Sequence, residues 1–111
     1  MTFRRGDIVT VAAPGDYGKP RPAVVIQTDA LNEAGGEGVI LALMTSTLRT
    51  APLLRLTVEA GLATGLARAT QVMVDKLVTV RQSKVGGVIG RLPDADLVML
   101  NRLLAFVIGL A

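Results

Sequence analysis

Gly38-Val39-Ile40-Leu41-Ala42-Leu43-Met44-Thr45 is a continuous apolar run of strand length that stops on a hydroxyl cluster, Thr45-Ser46-Thr47. It reads as the central strand of a sheet, because an uninterrupted apolar run must be covered on both faces. Upstream, Ala23-Val24-Val25-Ile26-Gln27 is a second such run, buried on both faces or lying under a helix. Asp7-Ile8-Val9-Thr10-Val11 alternates and is rich in β-branched residues, and the breakers between Ala13 and Pro20 turn that strand into a long loop. The acidic, glycine-ended segment from Asp29 to Gly38 is a connector with room for one helical turn.

Downstream, Leu53-Leu54-Arg55-Leu56-Thr57-Val58 reads as a strand and the glycine-punctuated Glu59 to Ala69 as a loop. Gln71-Val72-Met73-Val74-Asp75 and Leu77-Val78-Thr79-Val80 read as two short strands, with Asp75 and Lys76 between them, and the glycine-rich Gly86 to Arg91 as a weaker one. Pro93 suits a first helical position, Asp94 and Asp96 complement the positive end of a helix dipole, and Gly109 suits its C-terminus. Leu97, Leu100, Leu104 and Val107 then recur on one face, which Val98, Leu103 and Phe106 widen into a stripe suited to core or dimer interface. The expected architecture is a mostly β domain of short strands closed by one C-terminal helix.

With 111 residues, half of them apolar and 19% charged, the chain is expected to fold as a single domain, 1–111. Its mean hydropathy of +0.51 is high for so small a domain and points to a homo-oligomer, most simply a two-fold dimer. The Met1–Asp7 segment is not followed by a signal-type apolar region, and Leu97 to Ala111 falls short of the roughly 20 residues that span a bilayer. Cytoplasmic residence, with no membrane contact, is the expectation.

Histidine and cysteine are absent, which removes disulfides, thiolate nucleophiles, Cys/His zinc sites and imidazole bases. The acidic residues are not paired at metal-ligand spacing, and no phosphate-binding glycine motif is present, so neither metal nor cofactor is expected. Phe3, Tyr17 and Phe106 are too few aromatics for a base-stacking platform. Twelve Lys and Arg against nine Asp and Glu give a net charge of +3 and a pI near 10.0, which suits an acidic partner. Seven of the basic residues (Arg49, Arg55, Arg68, Lys76, Arg81, Lys84 and Arg91) fall between 49 and 91, and they read either as a phosphate-binding face or as scattered solvated charge.

The remaining chemistry is hydroxyl and guanidinium. Arg21, held between Pro20 and Pro22, has a restrained backbone that suits a bidentate grip on phosphate, and a purely structural arginine is the other reading. Thr45, Ser46 and Thr47 can donate to a phosphoryl oxygen or simply satisfy their own turn.

Arg5-Gly6-Asp7-Ile8-Val9, Asp16-Tyr17-Gly18-Lys19 and Pro20-Arg21-Pro22-Ala23-Val24-Val25-Ile26-Gln27 resemble, in order and spacing, the opening of MazF/PemK-type toxins. Leu43-Met44-Thr45-Ser46 is similar to that family's strand ending in Thr-Ser, and Val74-Asp75-Lys76-Leu77-Val78-Thr79-Val80 to its acidic-residue strand. Ile89-Gly90-Arg91-Leu92, leading into an apolar helix, is similar to its ending, so the resemblance covers nearly the whole chain.

The resemblance implies a small SH3-like β-barrel with a C-terminal α-helix, the MazF/PemK/CcdB type. It further implies a homodimeric toxin of a type II toxin-antitoxin system, neutralised by a cognate antitoxin. Its activity would be metal-independent, sequence-specific cleavage of single-stranded mRNA, in which the ribose 2′-hydroxyl attacks the adjacent phosphorus to leave a 2′,3′-cyclic phosphate and a 5′-hydroxyl. Such a reaction needs no histidine, because the nucleophile belongs to the substrate.

Carried onto this sequence, the resemblance makes Arg21 and Thr45 catalytic and Ser46 a phosphate contact. Asp16, Tyr17, Lys19, Thr47, Arg49, Asp75 and Lys76 complete the expected RNA-binding set. A guanidinium with a pKa above about 12 is a poor base, so Arg21 suits stabilisation of the phosphorane, with Thr45 on a non-bridging oxygen. The acceptor of the 2′-hydroxyl proton is left open among Asp16, Asp75 and water. Some members carry an arginine two residues before the acidic position, where this chain has Met73. Two other readings follow: a CcdB-like gyrase-binding toxin, whose Trp-Gly-Ile-like ending is only echoed by Val107-Ile108-Gly109, and a catalytically weak barrel that binds RNA or antitoxin.

Overall fold

A computed structural model of the chain describes residues 2–12 and 19–111. Six strands, β1 (Asp7–Val11), β2 (Arg21–Val25), β3 (Gly38–Thr45), β4 (Arg55–Val58), β5 (Thr70–Arg81) and β6 (Val85–Arg91), form one antiparallel sheet in the order β4-β5-β3-β2-β1-β6. A short helix, α1 (Asp29–Glu33), follows β2, and α2 (Asp94–Val107) ends the described fold. The apolar run 38–45 is central as expected, with β2 on one side and β5 on the other.

The two-residue period of the strands sorts their side chains into two clusters. Ile8, Val24, Ala42, Met44, Val72 and Val74 pack with Leu100, Leu103 and Leu104 of α2. Their neighbours Val9, Val11, Ala23, Val25 and Leu41 gather on the other face with Phe3 and Val85. Both apolar runs therefore bury side chains on two faces, although Ile40 of β3 stays exposed. In α2, Leu97 and Val107 join the packed stripe, whereas Val98 and Phe106 are about half exposed and do not widen it. The helix takes Pro93 as its N-cap rather than as its first residue.

The two short strands expected at 71–75 and 77–80 are one strand of 12 residues. Between the pairs Ala42↔Leu77 and Met44↔Val72, β3 advances two residues while β5 advances five. This bulge absorbs Asp75 and Lys76, whose side chains stay exposed while the strand runs on.

A β4–β6 ladder does not close the sheet into a complete barrel among the described residues. Instead the loop after β4 lies against β6, where the Arg91 N–H donates to the Ala63 carbonyl at 2.9 Å. The approach requires glycine on both sides: a Cβ at Gly65 would overlap the Ile89 carbonyl, and one at Gly90 the Thr64 carbonyl. Gly65 also has φ of 71°.

Polar contacts tie down the Asp7 end of β1. Asp7 accepts from the Arg4 N–H at 2.7 Å and from Arg91 Nη1 at 3.1 Å, while Asp29 Oδ1 accepts from the Arg5 N–H at 2.7 Å. The Arg5 N–H, helped by Asn32 and by the charges of Arg4 and Arg91, holds the Asp29 carboxyl below its ordinary pKa despite its partial desolvation. No helix among the described residues is long and apolar enough to cross a membrane.

Candidate active site

Pro22 opens the site. A proline in a sheet donates no ladder hydrogen bond. Pairing of β1 with β2 continues through Thr10↔Pro22 to Val11↔Arg21, whereas pairing of β2 with β3 stops at Ala23↔Leu43. Beyond that point the ends of β2 and β3 flank a cleft of about 320 Å³ lined by Arg21, Pro22, Met44, Thr45, Ser46, Thr47 and Thr70. This lies at the small end of ligand pockets, roughly 300–1,000 Å³.

Register places the polar residues in one row. Continued two residues past Ala23↔Leu43, it sets Arg21 level with Thr45 on the same face, and Thr45 in turn pairs with Gln71 on β5. The lining thus brings together one guanidinium and four hydroxyls, and no carboxylate among the described residues. Such a cleft favours an anion with several oxygens. Thr45 Oγ1 accepts from the Thr47 N–H at 3.1 Å, and Thr70 Oγ1 donates to the Arg68 carbonyl at 2.9 Å. The Thr45 hydroxyl is therefore both a turn-former and a donor, since accepting from Thr47 leaves its own proton to give.

Of the expected RNA-binding residues, Ser46 and Thr47 lie in this cleft with Arg21 and Thr45. Arg49 lines the neighbouring hollow of about 310 Å³ with Arg55, Thr57, Gln71, Met99 and Leu103. Lys19 is exposed just ahead of β2, and Asp75 and Lys76 are exposed at the β5 bulge, outside the described lining of the cleft. Asp16 and Tyr17 lie outside the described residues.

Of the seven basic residues of the middle of the chain, two are engaged within the fold. Arg91 is spent on Asp7 and on the Arg5 carbonyl, and Arg55 donates to Gln71 Oε1 at 3.3 Å and to the Thr47 carbonyl at 3.5 Å. Arg55 stands directly across the β4–β5 ladder from Met73, so a guanidinium reaches that neighbourhood from β4. The residue that sequence reasoning missed is Gln71, buried at 5% exposure behind Thr45. Its one signal was a polar residue opening an otherwise apolar strand.

An antiparallel sheet with a single long C-terminal helix and an anion-suited cleft at the ends of its central strands defines a small, basic β protein built to hold an anionic ligand. The chain belongs to the family of PemK-like, MazF-like toxins of type II toxin-antitoxin systems, whose model matches residues 4–108. It is 41% identical over 110 residues to a probable endoribonuclease MazF of Mycolicibacterium smegmatis, covering 98% of this chain and 99% of that protein. The same fold occurs in an endoribonuclease solved in complex with its cognate antitoxin from a mycobacterial species, at TM-score 0.80, 23% identity and coverage of 99% and 98% of the two chains. It occurs also in the Mycobacterium tuberculosis toxin MazF-mt6, at TM-score 0.80, 21% identity and coverage of 95% and 98%.

Proposed function

We propose that this chain is the toxin of a type II toxin-antitoxin pair and acts in the cytoplasm as an endoribonuclease on single-stranded mRNA at a short recurrent sequence. The observation that carries the reading is the meeting of Arg21 with Thr45 and Ser46 in one cleft free of described carboxylates. The substrate supplies the nucleophile: its 2′-oxygen gives up its proton and bonds to phosphorus, the bond to the 5′-oxygen breaks as that oxygen takes up a proton, and a 2′,3′-cyclic phosphate and a 5′-hydroxyl result. Arg21 offsets the extra negative charge of the phosphorane, and the Thr45 hydroxyl donates to a non-bridging oxygen. One preorganised donor of this kind is worth about 10²–10³ in rate.

The relatives' names support this reading: one is a probable endoribonuclease MazF, and another was solved with its antitoxin. The functional unit is a homodimer, consistent with half-exposed Val98, Met99 and Phe106 on α2 of so small a chain. Its partner is an antitoxin with an acidic, amphipathic tail that orders on binding, suited to a chain of net charge +3.

The chemistry is tested with a synthetic RNA containing a mapped cleavage site and its counterpart carrying a single 2′-deoxyribose on the 5′ side of the scissile phosphate. The intact RNA is expected to be cut to cyclic-phosphate and 5′-hydroxyl ends and the substituted one to survive. Cutting of both at equal rates would refute transesterification.

A further inference from the structure

Gln71 is the second residue of β5 and pairs with Thr45 on one side and Thr57 on the other. Its amide is fully used. Oε1 accepts from the Arg49 N–H at 3.0 Å and from Arg55 Nη1 at 3.3 Å, and Nε2 donates to the Arg49 carbonyl at 2.9 Å and to Thr57 Oγ1 at 3.2 Å. These partners fix which end of the amide is oxygen, because an N–H must meet Oε1 and a carbonyl must meet Nε2.

The main chain of Arg49 is thereby gripped at both of its polar groups, as a ladder partner would grip it, although residues 46–50 belong to no strand. That segment carries Ser46 and Thr47 into the cleft and Arg49 into the hollow beside it. A buried amide is a costly way to fill space, since an apolar side chain of the same size needs no partners. What the amide adds is a fixed backbone position. Arg55 reinforces it by reaching the Thr47 carbonyl at 3.5 Å from the same guanidinium nitrogen.

Resting on the function proposed above, we propose that Gln71 is a positioning residue for RNA cleavage. It holds the 46–49 segment so that the Thr45 and Ser46 hydroxyls stand at a fixed distance from Arg21 when the phosphorane forms. It lies outside the lining of the cleft that holds Arg21 and Thr45. Misplacement of a reacting group by about 1 Å costs on the order of 10²-fold in rate, and the loss falls on the chemical step.

Gln71→Met keeps the size and removes all four hydrogen bonds, and Gln71→Glu keeps the acceptor but loses the donor to Arg49. Cleavage kinetics on a short RNA, with amide hydrogen exchange of the 15N-labelled protein, test the assignment. Gln71→Met is expected to lower kcat about 10- to 100-fold with KM within about 3-fold, and Gln71→Glu to lie between it and the parent. The Arg49 amide should exchange at least about 10-fold faster in Gln71→Met, while the Val24 amide in the core is unchanged. Should Gln71→Met fail to fold, Thr57→Val removes one of the four bonds, and a milder kcat loss of the same kind is expected. A released Arg49 amide with undiminished kcat would overturn the assignment, as would a loss confined to KM. A parent protein that cuts no RNA would instead overturn the proposed function, and the exchange data would still report on the clamp.

Discussion

The Thr47 N–H donates to the Thr45 hydroxyl oxygen at 3.1 Å. This bond fixes the acceptor side of the hydroxyl and leaves its proton for a ligand oxygen in the cleft. Thr45→Val, which keeps the shape but loses both the donor and the acceptor of the Thr47 N–H, is therefore expected to lower the cleavage rate about 100-fold, whereas Thr45→Ser, which keeps both, should stay within about 10-fold of the parent. Single-turnover cleavage of a short RNA measures both. Equal activity of the valine variant would remove Thr45 from the mechanism.

Arg91 and Arg49 should separate structure from binding. Arg91→Met breaks the contacts with Asp7, whose side chain is 9% exposed, and is expected to cost about 1–3 kcal/mol. At about 4–8 °C per kcal/mol for a domain near this size, the melting temperature should fall clearly. Its RNA affinity should show an unchanged salt dependence. Arg49→Met should do the converse, melting like the parent while the slope of log affinity against log salt falls by about 0.7. Titrations at several salt concentrations decide between them.

The seam between the 59–69 loop and β6 depends on two glycines. A methyl at Gly90 has no room against the Ala63 and Thr64 carbonyls, so Gly90→Ala must part the loop from β6. A destabilisation of about 2 kcal/mol or more is expected by denaturant titration, larger than for Gly87→Ala, where a Cβ meets nothing within 4 Å. Similar midpoints for the two variants would show that the seam gives way cheaply.

Asp29 sets part of the acid limb of stability. Its folded carboxyl is held below 3.8, chiefly by the Arg5 N–H, so its contribution is present above that pH and is lost as the pH falls through the lowered folded value. Asp29→Asn is expected to be less stable than the parent at pH 7, with the gap closing as the pH falls through the lowered folded value. Melting curves between pH 7 and about pH 2.5 follow it. A gap that widens on acidification would contradict the sign.

Much of this was legible in the chain itself. The bounds of β1 and β3, Asp7–Val11 and Gly38–Thr45, follow from the β-branched and apolar pattern and from the breakers and hydroxyls that flank it. That Arg21 and Thr45 line one cleft was legible only through the family resemblance, since nearness across a sheet depends on register and not on spacing along the chain. The 12-residue β5 was hidden because a bulge lets two charged residues interrupt the pattern without ending the strand. Gln71 escaped notice because its partners, Arg49 and Arg55, lie 22 and 16 residues away. Helical spacing puts Val98 and Phe106 beside a stripe suited to core or dimer interface, and in this chain they stay half exposed because Leu100, Leu103 and Leu104 already fill the face that α2 turns to the sheet.

The most direct measurement of the central claim is incubation of the purified protein with a long single-stranded RNA in EDTA, with Arg21→Ala in parallel and the new ends mapped by primer extension. A melting curve of Arg21→Ala beside the parent establishes that the variant is folded. Cuts at a short recurrent sequence, lost at least about 100-fold in Arg21→Ala, are the predicted result. RNA left intact by the parent, or cut equally by a folded Arg21→Ala, would contradict the assignment of the cleft as the site of cleavage.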